Sequence, residues 1–137
     1  MSAFQILKLY GLTAVVFFAI DLVWLGVVAS NFYQKYLGHF LAAQVRWAPA
    51  LLFYLLFILG ILVFAVLPGL AAASLAKTVA LGAFLGLMAY ATFDLTCAAL
   101  FEGFPNVVVV VDLIWGTVLS AGVSAAGYGI GRWMGIG

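Results

Sequence analysis

Two stretches of this chain, FAIDLVWLG (18–26) and VVDLIWGT (110–117), each set an Asp-Leu-x-Trp core inside an apolar run. A third carboxylate, Asp94, stands in AYATFDLTCAAL (89–100). Only four acidic residues are present, so Asp21, Asp94 and Asp112 put most of the acid into the greasiest segments. On insertion scales a carboxylate at membrane depth costs at least about 2.5 kcal/mol, which marks these positions for a role beyond solubility. Grouped carboxyls can exchange a proton, hold a cation or accept hydrogen bonds from a polar ligand. Three that converge cannot all ionise cheaply, so the group is expected to hold a proton or a bound cation.

The elements that would carry these acids follow from composition. Of 137 residues 69% are hydrophobic and 7% charged, and the mean hydropathy is +1.33, far outside the range of a soluble domain. An integral membrane protein is implied. Each crossing of a roughly 30 Å hydrocarbon core needs about 20 residues, which leaves room for about four. The net charge of +1 argues against nucleic acid and against a polybasic surface role. The single Cys97 cannot form an internal disulfide and reads as a small packing residue. The first apolar run continues past Asp21 to Ala29, too long for a signal-peptide core and without a clear cleavage site, so it reads as a span.

Four apolar runs can be drawn, at about 9–29, 49–67, 78–100 and 107–130. Backbone groups in lipid must be satisfied within the segment, and nothing here alternates as a barrel strand would. The expected fold is all-α: a single membrane domain, 1–137, built as a four-helix transmembrane bundle. Between the first two runs lies SNFYQKYLGHFLAAQVRW (30–47), where aromatic and leucine residues recur at helical spacing. A short amphipathic helix in the interface is expected there, with Trp47 as an anchor. Leu-Pro-Gly at 67–69 is read as the end of the second span, and Glu-Gly-Phe-Pro-Asn at 102–106 as a tight turn joining two antiparallel neighbours. Lys8, Lys77 and Arg132 fall on one side and Lys35 and Arg46 on the other, which places both termini in the cytoplasm.

Counting along these helices places all three aspartates about 8 to 12 Å inside the same membrane face, the one bearing the first and third connections. Four-residue steps from Asp94 reach Tyr90, Gly86 and Gly82; from Asp112 they reach Gly116, Ser120 and Ser124. Small stripes of this kind let helices approach closely and point the acids inward. Thr13 and Phe17 lie on the face of Asp21. The expected site is a pocket between the first, third and fourth spans, holding Asp21, Asp94 and Asp112. Arg46 would be the counter-charge and His39, Asn31, Glu102 and Asn106 would lie within reach, with Trp24 and Trp115 as walls or as simple packing. A packing role for each Asp, bonded to an indole or a Thr hydroxyl, is the alternative. No metal site is expected from one His and one Cys, no cofactor is indicated, and no phosphate loop, nucleophile elbow or zinc-helix motif occurs.

The order DLVWLG (21–26), FYQKYLGHFLA (32–42), FYLLF (53–57), FAVLPGL (64–70), GAFLGLMAYATFDLT (82–96) and VDLIWGT (111–117) resembles a bacterial membrane family, domain of unknown function 2177, over nearly the whole chain. The resemblance implies a small four-helix protein of the bacterial inner membrane. Its motif residues map to Asp21, Trp24, Gly38, His39, Asp94, Asp112, Trp115 and Gly116. The family pattern reads Asp-Leu-Thr-Asn where this chain has Cys97, so any pocket contact made by that amide is replaced here.

Three readings follow. The first is a membrane protein whose carboxylate pocket binds or passes a proton, cation or small molecule, with the bilayer as its surroundings. A homodimer could form through Gly82-x-x-x-Gly86 or Gly127-x-x-x-Gly131, stripes that serve equally for packing within one chain. The second is a lipid-modifying enzyme or an accessory to one, with His39 as base beside a protonated Asp. The third is a structural subunit of a larger membrane complex.

Overall fold

The computed structural model describes residues 2–41 and 46–136, and all side chains within them except those of Val28 and Ser30. It holds four helices long and apolar enough to cross a membrane, Ala3–Val27, Trp47–Ala71, Leu75–Leu100 and Asn106–Trp133. A short helix, Ser30–Leu37, links the first two. Within the 30–47 stretch the expected helix covers Ser30–Leu37, residues 38–41 form a turn, and residues 42–45 lie outside the described residues.

Each span is longer than the apolar run that announces it, because local chemistry at its ends extends it. The first begins with a capping box, in which Ser2 Oγ accepts from the Gln5 amide at 3.2 Å and the Ser2 amide donates to Gln5 Oε1 at 3.1 Å. Ser74 Oγ caps the third by accepting from the Lys77 amide at 3.1 Å. The turn before the fourth uses Gly103 at φ +75°, a conformation that favours glycine, and Pro105 directly precedes the helix.

The second span does not stop at Leu-Pro-Gly. It continues to Ala71, because a wide π turn at Leu62–Val66 precedes the proline and Pro68 then takes one of the first positions of the renewed α-helix, where a missing N–H costs little. A second π turn, Trp24–Val28, closes the first span, with the Ala29 amide donating to the Trp24 carbonyl at 2.7 Å.

The fourth span contacts the other three and is the most buried. Its main partner is the third. A methyl group on Gly82 would fall within 3 Å of Ser124, one on Gly86 within 3 Å of the Gly116 carbonyl and Ser120, and one on Gly116 within 3 Å of the Tyr90 ring. Gly127 faces Val66 and Thr13, and Gly131 faces Leu70. Both glycine stripes are thus consumed inside the chain, and a homodimer would have to use another surface. On the first span the buried residues Leu9, Thr13, Phe17 and Asp21 recur every fourth position, the repeat of a helix face laid against the bundle. Lys8 lies over the Trp133 ring at 5.2 Å, which brings the two ends of the chain to one side of the bundle.

Candidate functional site

Asp21, Asp94 and Asp112 each stand six residues inside the end of their helix. At 1.5 Å per residue this is about 9 Å, and all three ends border the first or third connection. All three side chains are buried, at 5%, 1% and 8% exposure, which follows from the four-residue stripes that turn them toward neighbouring spans. They line one cleft of about 520 Å³.

Within the cleft the acids do not share one environment. Asp94 and Asp112 face each other closely enough to interact, and Asp112 also accepts a hydrogen bond from the Tyr33 hydroxyl. Asp21 interacts with the hydroxyl of Tyr54 and the indole of Trp115. Tyr90 stands within electrostatic reach of all three carboxyls. Among the described residues no group of three or more His, Cys, Asp or Glu side chains is disposed to hold a metal ion. The arrangement is a pair plus a third acid grouped around a tyrosine, rather than a compact three-carboxylate cage.

Both oxygens of Asp94 are buried and receive no hydrogen bond from a described N–H or O–H donor; the polar group they meet is the Asp112 carboxyl. A buried acceptor left unpaired costs about 1–3 kcal/mol, more if charged, and folded proteins rarely tolerate it without a reason.

The two Asp-Leu-x-Trp motifs are joined through their rings. Trp24 and Trp115 stack with centroids 4.2 Å apart and planes within 8°. Trp115 serves Asp21, the acid of the other motif. Trp24 lies beside the Tyr33 hydroxyl, which in turn donates to Asp112. Both indoles line the cleft, and the π turn beginning at Trp24 is the local distortion that accompanies this wall.

The second span, which carries no acid, completes the enclosure with Ala50, Phe53 and Tyr54, and the linking helix covers it with Tyr33 and Leu37. Tyr33 and Tyr54 are the lining residues that spacing of the acids does not single out. Tyr90 was reachable as the first four-residue step back from Asp94; Tyr54 has no such marker in an apolar span. Burial, reinforced by the hydrogen bond to Asp112, pushes the Tyr33 phenol well above the usual tyrosine range, so it remains a donor.

Other residues named from the sequence lie elsewhere. Arg46, His39, Asn31, Glu102 and Asn106 are exposed and none lines the cleft. No salt bridge joins Arg46 to an acid among the described residues, and the His39 ring packs beside Phe40 at 4.0 Å. Cys97 is buried one turn beyond Asp94, close enough to feel its charge, but outside the lining.

A family model described as a predicted membrane protein, domain of unknown function 2177, matches residues 6–129. No curated protein and no solved structure matches the chain.

Proposed function

This chain belongs to the family of predicted membrane proteins termed domain of unknown function 2177, whose description carries no activity, and we propose from its site that it is a membrane-embedded receptor for a small cationic molecule. The observation that carries this reading is Asp94: an almost fully buried carboxyl to which no described N–H or O–H group donates and which faces a second carboxyl, Asp112, in the same cleft. A site of unpaired acceptors is completed by a ligand that brings donors, and a protonated amine brings several on one positive charge. The lining contains three acids and, among the described residues, no Lys, Arg or His. Binding would also let the Asp94–Asp112 pair give up or take up a proton, which couples occupancy to protonation.

Butylamine, titrated into the protein in nanodiscs, tests the reading through the emission of the stacked Trp24–Trp115 pair, with the exposed Trp47 and Trp133 replaced by Phe. Saturable binding is expected, with no response to butyrate, and Asp94→Asn should weaken it by at least about tenfold, as removing one partner of a buried charge pair does. Equal binding by the Asn variant, or no binding of the amine, would show the proposal to be wrong.

A further inference from the structure

Resting on that reading, we infer that the ligand is a single-chain cationic amphiphile, with its ammonium head on the carboxylates and its alkyl chain in an apolar groove that leads out of the cleft along the second span. The groove, about 340 Å³ and wholly apolar, runs between the second and third spans past Phe53, Leu56, Gly60, Phe64 and Leu85. It adjoins the carboxylate cleft. Phe53 lines both, Leu85 lies one turn from Ala89 of the cleft wall, and the Phe57 ring at the groove lies 6.2 Å from that of Tyr90.

The groove runs the right way for a chain in a bilayer. From Phe53 to Phe64 the second span rises about 16 Å, a depth that takes a long alkyl chain laid parallel to the helix. Phe53, Leu56 and Phe64 are 45%, 63% and 62% exposed, so the groove opens sideways to hydrocarbon and a ligand can enter without crossing water. The head is fixed by charge: three carboxyls at the polar end and aromatic walls, the Trp24–Trp115 stack among them, suit an ammonium through both Coulomb and cation–π attraction.

Gly60 provides the test. It lines the groove and not the cleft, and a Cβ built there meets nothing within 4 Å, so Gly60→Leu occupies the chain's bed without disturbing the core. Butylamine, octylamine, dodecylamine and dodecanol are titrated into wild-type and Gly60→Leu protein in nanodiscs, read by the same tryptophan emission. Longer chains partition into the disc equally for both proteins, so the reading is the ratio of wild-type to variant affinity at each length. That ratio should stay near one for butylamine and rise to about tenfold for dodecylamine as the lost packing contacts accumulate, with no saturable binding of dodecanol. A ratio that stays flat while butylamine still binds overturns the groove and leaves the carboxylate receptor standing. Dodecanol following the same trend as dodecylamine overturns the ammonium head. Failure of every amine in both proteins overturns the receptor reading, and this inference with it.

Discussion

The third and fourth spans lie side by side, lined with small residues over one half of their length and with large and acidic ones over the other. In the small-residue half Gly82 and Gly86 press against Ser124, Ser120 and the Gly116 carbonyl, and the helices meet backbone to backbone. In the other half the same stripes continue as Tyr90 and Asp94 on one helix and Asp112 on the other, and these side chains line a cleft. Gly116 marks the change, because it receives the ring of Tyr90, the first large side chain on the stripe. The same four-residue repeat thus makes glue where its residues are small and lines a cleft where they are large and polar. Membrane helices gain nothing from the hydrophobic effect when they pair, so packing in the glycine half must supply the cohesion that holds the costly acidic half in place.

Substitutions on that stripe should have opposite signs in the two halves. The largest effect is expected at Gly86, where the obstructing atoms include backbone: Gly86→Leu should abolish the folded bundle, and Gly86→Ala should destabilise it by about 1–3 kcal/mol, read by thermal unfolding in detergent. An alanine variant as stable as the parent would mean that the two helices are not held by this contact. Two turns along, Asp94→Leu should instead stabilise the fold, by about 1–3 kcal/mol, because it removes a buried carboxyl that no described donor satisfies and that faces a second carboxyl, while ending amine binding. If it destabilises like the glycine variants, the halves are not opposed in the way described.

A smaller effect, about 1 kcal/mol, is expected for Tyr33→Phe, which cuts the linking helix from Asp112. This variant also has a pH signature. The Tyr33 phenol is raised by burial and by its bond to Asp112, so the stability it carries is fully present below about pH 10 and is lost only as the pH climbs through the raised value. Alkaline titrations followed by tyrosinate absorbance should therefore be superimposable for wild type and variant around pH 10. One fewer titrating group in the variant at that pH would show that Tyr33 is exposed.

What could be seen in the sequence was whatever repeats along one helix. The spans were legible because lipid leaves the backbone no other choice, and the common depth of Asp21, Asp94 and Asp112 because a helix converts residue count into distance. The inward stripes of Gly82, Gly86, Gly116 and Ser120 were legible for the same reason. Contributions from residues with no periodic signature were not. The second span is apolar on all sides, so nothing announced that Tyr54 faces the cleft. Pro68 signalled an end that a π turn one step earlier makes unnecessary. Arg46 and His39 were placed near the acids by proximity along the chain, but single polar groups at a span's edge keep their hydration by turning to water, and the cleft closes without them.

The Tyr33–Asp112 bond joins residues 79 apart, and the Trp24–Trp115 stack likewise ties the start of the chain to its last span. That separation has a consequence for how the protein is made. A nascent chain that has delivered three spans to the bilayer already carries Asp21 and Asp94, yet Trp115, which serves Asp21, and Asp112, which faces Asp94, are still to be translated. The glycine-lined seam against the fourth span does not exist at that point either. Synthesis therefore passes through its most expensive state late, with Asp21 met only by Tyr54 of the second span and Asp94 without Asp112, and arrival of the fourth span completes packing and cleft together.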